Sequence, residues 1–168
     1  NRWRVYLYSE NLVELLTDAF GVPDGKAAEI KDVPSQICQS PRGVVSEFIR
    51  GLMDADGYAG DQGVILSTKS DALSTTVQLL LLNYGILSRR RRQTDGCYHV
   101  HLTGSAAKTY HDEIGFGYTE KAEQLQTYLD ELSWFESGSW TDEVVEVSYG
   151  TGTVYDISVE NTHRYAGA

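Results

Sequence analysis

The chain has 168 residues, 41% of them hydrophobic, which is enough apolar content for one or two folded domains. Its net charge of −10 is unusual for a protein that binds nucleic acid, and the acidic excess suggests, as a side hypothesis, adaptation to high salt. The run Leu79–Leu82 is too short to cross a membrane, and two cysteines form no disulfide framework, so we expect a cytoplasmic protein without a membrane partner.

The first 30 residues contain a pattern that returns later in the chain. Residues 4–8 alternate as a strand and Ser9–Ala19 has the spacing of a helix, and a second strand and helix follow at 99–103 and 105–114. The matched pairs, each 95 positions apart, are Val5 and Val100, Leu7 and Leu102, Lys26 and Lys121, and Ile30 and Leu125. A match without gaps predicts a duplicated unit, and it makes Lys26 and Lys121 candidates for function.

The most informative stretch is an apolar helix that ends in two carboxylates. Ser40-Pro41 is a favourable helix start, a capping hydroxyl followed by a proline. Gly51 and Ala55 form a strip of small residues that would let a second helix approach closely. Asp54 and Asp56 lie at the C-terminal end, where the helix dipole disfavours anions, so these carboxylates are either unfavourably placed or held by a cation. The alternative is an ordinary buried helix with acidic residues in the turn after it.

Ile49–Gly57, which reads I-R-G-L-M-D-A-D-G, resembles the LAGLIDADG motif of homing endonucleases and departs from it mainly at Arg50 and Met53. The resemblance implies that two such helices pack through their small residues, here Gly51 and Ala55. It also implies that Asp56 binds a divalent metal such as Mg²⁺, that Asp54 is a helix-end residue, and that Lys26 and Lys121 lie near the scissile phosphate. Carboxylates and phosphate oxygens are the ligands that Mg²⁺ prefers.

The rest of this unit reads as strands and a helix. Gly63–Ser67 is a short strand, Ser70 caps a helix over residues 71–83, and Gly85 ends it. Residues 88–93 and 97–103 form a hairpin about residues 94–96. Its alternation places Tyr98, Val100 and Leu102 on one face and Cys97, His99 and His101 on the other. Those three polar side chains are either metal ligands or, as we favour in the absence of the usual zinc spacing, part of a surface that lies on DNA.

Arg89–Arg92 is the one cationic run in an acidic chain. Such a run is usually a solvated face, but beside a β-hairpin it indicates contact with nucleic acid, because β-ribbons enter the major groove. The predicted DNA-binding residues are Arg2, Arg4, Lys69, Arg89, Arg90, Arg91, Arg92, His99 and His101.

The chain changes character after Leu132. Residues 134–140 read as a linker, and residues 143–149 and 153–159 read as two strands. Val154–Tyr165 resembles the C-terminal splicing block of inteins, in which Asp156 and His163 are the functional Asp and His. Histidine transfers protons near neutral pH, and in that block it helps the terminal asparagine to cyclise without a cofactor. The alternative is a half-buried strand followed by a polar turn.

These patterns together predict an α+β intein fragment with both nuclease and splicing-domain parts. The predicted units are the tail of a first LAGLIDADG repeat (1–33), a second repeat of αββαββα type (34–132), a linker (133–142) and Hint splicing-domain strands (143–168). The first repeat's aspartate and the N-terminal nucleophile are expected elsewhere, in the same chain or another. The expected partners are double-stranded DNA, the missing intein portion and the host exteins. Two alternatives are a freestanding LAGLIDADG nuclease or DNA-binding protein, and an intein whose nuclease has decayed.

Overall fold

A four-stranded antiparallel sheet with helices on one face forms the centre of the computed structural model, which describes residues 6, 8–23, 28–132 and 143–153. Five of the predicted site residues, Arg2, Arg4, Lys26, Asp156 and His163, lie outside the described residues, as do the predicted linker and the whole of the Val154–Tyr165 splicing block. The elements in chain order are α1 (Glu10–Glu14), which continues as a π-helical turn (Leu15–Ala19), α2 (Ser35–Cys38), α3 (Arg42–Asp56), β1 (Gly57–Gly60), β2 (Gly63–Thr68), α4 (Asp71–Leu82), β3 (Arg89–Arg92), β4 (Tyr98–Leu102), α5 (Ser105–Glu113) and α6 (Thr119–Glu131).

The order from α3 to α5 is the predicted αββαββα sequence, with α6 added after it. The strands lie in the order β1-β2-β4-β3, so the two hairpins meet along β2 and β4. In that central pair Val64 is opposite Leu102 and Ile65 is opposite His101. On the outer side of β4, Arg89 is opposite His101 and Arg91 is opposite His99. Because residues opposite each other share a face of the sheet, these registers decide which side chains come together.

One face of the sheet packs on the helices and the other is open. Val64, Leu66, Val100 and Leu102 are fully buried on the packed face. The predicted alternation of β4 is confirmed, because His99 and His101 are only partly covered on the opposite face. Helix α3 completes the core with Val45, Ile49 and Met53. Val33, which precedes α2, is buried in the same core.

The predicted start and stop residues of α4 are confirmed, whereas the predicted cap at the start of α3 is wrong. Ser70 accepts a hydrogen bond from the Leu73 N–H, and Gly85 has a φ of 72°, as expected for a cap and a left-handed stop. The predicted Ser40 cap does not form, because its hydroxyl donates to the Gln36 carbonyl. Pro41 occupies the N-cap position of α3, and no side chain caps the helix.

The predicted strand over residues 143–149 is not formed, since these residues carry neither helix nor strand. A strand is stable only where a neighbour pairs with its backbone, and the described part of the chain supplies no such neighbour for this segment. Val145 and Tyr149 are almost fully exposed there.

Gly57 makes the direct passage from α3 into β1 sterically allowed. Its N–H donates to the Met53 carbonyl and ends the helix. A Cβ on Gly57 would lie 2.5 Å from the Met53 carbonyl oxygen, which is closer than real Cβ contacts allow. The last residue of the acidic stretch is therefore a glycine for steric reasons, and Asp56 is held one residue before the sheet.

Candidate functional site

The C-terminal end of α3 is joined to the N-terminal end of α6 through Asp54. The Asp54 carboxylate accepts hydrogen bonds from the backbone N–H groups of Gly117 and Tyr118, each at 3.1 Å. These N–H groups open α6, where the helix dipole favours a negative charge. A Cβ on Gly117 would lie 2.8 Å from Asp54 Oδ2, so a glycine keeps this approach open. The N-terminus of a neighbouring helix thus supplies hydrogen-bond donors to the Asp54 carboxylate at the end of α3.

Lys121 completes the same junction in the opposite direction. Its Nζ donates to the carbonyl oxygens of Met53 at 3.0 Å and Asp54 at 2.6 Å, which belong to the last turn of α3. A cation at this end complements the helix dipole. Burial lowers the pKa of Lys121 below its usual value, while the negative charges of Asp54 and Asp56 oppose that shift. The ammonium is therefore fixed at the acidic end of α3.

Asp56 is exposed and forms an ion pair with a lysine that sequence reasoning missed. Lys31 Nζ lies 3.0 Å from Asp56 Oδ2. The Lys31 carbonyl in turn accepts a hydrogen bond from the buried Ser70 hydroxyl. Nothing in the local sequence around Lys31 indicates this pairing, because the two residues are 25 positions apart and meet only through the tertiary fold. Ser70 was expected only as a helix cap.

Arg50 and Met53, the two departures from the motif, have ordinary structural roles. Arg50 Nε donates to the Ile114 carbonyl at 2.9 Å, and its Nη1 pairs with Glu47 one turn earlier. Met53 is buried in the core. Neither substitution disturbs the acidic end of α3.

Gly51 and Ala55 lie on the outer face of α3 and are both exposed. A Cβ added at Gly51 would have nothing within 4 Å. Val44, two turns earlier, leaves 46% of its surface exposed. The strip of small residues is therefore open to a partner.

The open face of the sheet carries a cluster of basic and polar side chains. We call this cluster the basic face; it consists of Lys69 and of the two opposed pairs Arg89 with His101 and Arg91 with His99. Lys69 follows β2 and is exposed. His101 Nε2 donates to the Gln62 carbonyl, which fixes its ring beside the β1–β2 turn. Four of the nine predicted DNA-binding residues are thus brought together in opposed pairs, and Lys69 is exposed directly after the neighbouring strand β2.

Arg90 and Arg92 belong to the opposite face, so the four arginines are not equivalent. The Arg90 guanidinium pairs with Asp71, donates to the Ser74 hydroxyl at 2.7 Å and lies 4.5 Å from the centre of the Tyr98 ring. Arg92 lies 5.8 Å from the same ring. Since a strand alternates its side chains, a run of four arginines could not have lain on one face.

The expected metal site rests on Asp56 alone among the described residues. No three side chains of His, Cys, Asp and Glu come together there as a metal site, and this includes Cys97, His99 and His101. Mg²⁺ is often held by one or two carboxylates together with substrate phosphates, and the exposed Asp56 carboxylate has the chemistry of one such ligand. Within the described ranges, no helix is long and apolar enough to span a membrane.

Residues 43–115, from α3 to the end of α5, match the LAGLIDADG-like domain. This part of the chain is therefore a LAGLIDADG-like domain. It is 37% identical over 103 residues to a DNA gyrase of Mycobacterium gordonae (58% of this chain, 19% of the relative) and 32% identical over 134 residues to a DNA gyrase of Mycolicibacterium flavescens (76% and 24%). It is also 30% identical over 128 residues to elongation factor 2 of Methanopyrus kandleri (75% and 10%). The chain spans about a quarter or less of the length of these relatives.

Proposed function

We propose that the chain is part of an intein and carries the second LAGLIDADG repeat of a DNA-cleaving homing endonuclease, followed by part of the splicing domain. The observation that carries the nuclease proposal is the position of Asp56. This exposed carboxylate ends α3 and directly precedes β1 of the sheet that bears the basic face. Asp56, Lys121 and the basic face therefore belong to the same unit of helices and sheet.

The C-terminal end of α3 would serve cleavage through the side chains of Asp56, Lys121 and Asp54. Asp56 would bind the divalent cation, which when bound activates water and stabilises the leaving oxygen of a phosphodiester. Lys121 holds a positive charge at the same helix end through its bonds to Met53 and Asp54, where it would stabilise charge that develops on a phosphate. Asp54 keeps Lys121 in place by joining α3 to α6. Lys26 is proposed as the equivalent lysine of the first repeat.

The basic face would lie on double-stranded DNA. Lys69, Arg89 and Arg91 would contact phosphates, and His99 and His101 lie between them, where they would reach base edges. We do not propose this role for Arg90, because its guanidinium is engaged by Asp71 and Ser74 of α4. Gly51 and Ala55 would receive the equivalent helix of the first repeat, which would bring a second carboxylate to the site.

The intein part of the proposal draws on the relatives. DNA gyrase and elongation factor 2 are proteins of different names, and both contain a stretch similar to this one. A stretch that occurs in two proteins of different names is better explained by an element inserted into both than by the activity of either one. The resemblance of Val154–Tyr165 to a splicing block agrees with this, and it assigns proton transfer to His163 and tuning of the acyl rearrangement to Asp156.

Replacing Asp56 by asparagine tests the nuclease assignment. In a preparation that also contains the first repeat, we expect D56N to lose DNA cleavage by a factor of at least about 100, because a neutral amide is a poor ligand for Mg²⁺, while DNA affinity changes little. D130N is the matched control, since Asp130 is an exposed aspartate on α6. Cleavage is measured on a plasmid that carries the target site, and binding on the same duplex in Ca²⁺.

The outcomes separate the proposals. Retained cleavage in D56N would refute the metal role of Asp56. Loss of splicing in the same variant would refute the division of labour between the α3 site and the Asp156–His163 block. Splicing that proceeds in D56N while cleavage is lost would support both assignments and exclude a freestanding nuclease.

A further inference from the structure

We infer that Lys31 competes with the divalent cation for Asp56, so that it acts as a built-in counter-ion that the metal must displace. This inference rests on the proposed role of Asp56 as the metal-binding carboxylate. Its basis is the ion pair between Lys31 Nζ and Asp56 Oδ2 at 3.0 Å. A carboxylate oxygen that is paired with an ammonium group is less available to a metal, because both cations are attracted to the same negative charge.

The main chain at Lys31 is anchored from two sides. Its carbonyl accepts a hydrogen bond from the Ser70 hydroxyl, and the Ser70 side chain is fully buried and also caps α4. Two residues later, Val33 is buried in the core. The backbone of residues 31–33 is therefore fixed on the α3–α4 unit, and only the flexible side chain of Lys31 has to move for the ion pair to open.

The other lysine at this site is held differently. Lys121 donates to two backbone carbonyls and leaves the Asp56 carboxylate to Lys31. About a third of the Lys31 side chain and 44% of the Asp56 side chain remain exposed, so a cation from solvent reaches the carboxylate directly. The two lysines thus have separate roles: Lys121 stays on the helix end, while Lys31 leaves Asp56 when a metal binds and becomes free to approach a phosphate.

A Mg²⁺ titration of the 168-residue chain tests this competition without any measurement of cleavage. The chemical shift of the Gly57 amide reports the site, because Gly57 follows Asp56 and is fixed by its bond to Met53. We expect K31M to bind Mg²⁺ roughly two- to fivefold more tightly than the wild type, which is the size of effect expected for an exposed ion pair. K31R keeps a cation on Asp56 and should bind Mg²⁺ as the wild type does.

K108M is the matched control, since Lys108 forms an exposed ion pair with Asp112 on α5 and its loss changes the net charge by the same amount. We expect a smaller change in Mg²⁺ affinity for K108M than for K31M. In a D56N background, K31M should have no effect, because the carboxylate for which the two cations compete is gone.

Equal or weaker Mg²⁺ binding by K31M would overturn the inference, and so would an equal gain in K108M. In either case the proposed function stands if D56N abolishes the response of Gly57 to Mg²⁺. A Gly57 response that persists in D56N would refute the metal role of Asp56 itself, and the competition with it.

Discussion

Adjacent arginines in β3 have different environments, and these environments assign them different roles. Arg91 is exposed on the basic face opposite His99, whereas Arg90 is held by Asp71, Ser74 and the Tyr98 ring. We expect R91M to weaken binding to duplex DNA and leave stability unchanged. R90M should instead lower the free energy of unfolding by about 1 kcal/mol, since it removes a partly exposed ion pair and a cation–π contact.

Fluorescence anisotropy on a labelled duplex and urea unfolding measure the two effects separately. Each variant is the control of the other, because both remove one arginine from the same strand and change the net charge equally. Equal losses of DNA affinity would contradict the assignment of Arg90 to the packed face. A loss of stability in R91M would show that Arg91 makes stabilising contacts, and this would contradict its assignment to the open face.

Single residues also show where sequence reasoning stops. The role of Asp54 at a helix end was predicted, but its bonds to Gly117 and Tyr118 were not, because they join positions more than 60 residues apart. The pairing of Lys31 with Asp56 was missed for the same reason. Periodicity and turn chemistry predict interactions between residues that are close along the chain. The partners of a charged side chain depend on the tertiary fold, which brings distant residues together.

At the scale of elements, Gly51 lies in the interior of helix α3 and Gly57 directly follows that helix, and the two glycines have opposite steric requirements. Gly51 has open space where a Cβ would be, whereas a Cβ on Gly57 would meet the Met53 carbonyl oxygen at 2.5 Å. We expect G51A to raise the free energy of unfolding of this chain by about 0.5–1 kcal/mol, because alanine is the better helix former. G57A should destabilise the chain, because the end of α3 or the start of β1 must shift.

The same G51A change would impair packing of a second acidic helix on α3. We expect thermal unfolding of the chain alone to show the gain in stability, and DNA cleavage in the presence of the first repeat to show a loss. A variant that gains stability and also cleaves normally would show that the Gly51–Ala55 strip is not a helix interface. Lower stability in G51A would show instead that Gly51 is packed within this unit.

Elements with strong local patterns were predicted well. The alternation of β4, the Ser70 cap and the Gly85 stop are all present, because each depends on residues close together in sequence. The predicted αββαββα order includes a strand here, but the residues of β1 were not located from the sequence, since four residues with two glycines have little strand character of their own. Its formation depends on pairing with β2. The segment at 143–149 is the converse case, with a clear strand pattern and no strand in the structure.

For the whole molecule, the net charge of −10 coexists with a local cationic surface. Lys69, Arg89 and Arg91 are exposed on or beside the strands of the open face, while acidic residues such as Glu113 and Asp130 lie on the helices α5 and α6. Proteins bind DNA through the local field of a surface rather than through their total charge. Under the proposed function, the acidic excess would restrict DNA to the basic face instead of excluding it.

This charge distribution predicts a modest dependence of DNA affinity on salt. About three phosphate contacts, from Lys69, Arg89 and Arg91, give a slope of log affinity against log salt of roughly −2 to −3, because each neutralised phosphate releases about 0.9 counter-ion. We expect the R89M/R91M pair to reduce the magnitude of the slope by about two, and R90M to leave it unchanged. The slope is measured by fluorescence anisotropy on a labelled duplex over a series of salt concentrations. A steep slope that survives in R89M/R91M would place the DNA on another surface of the molecule.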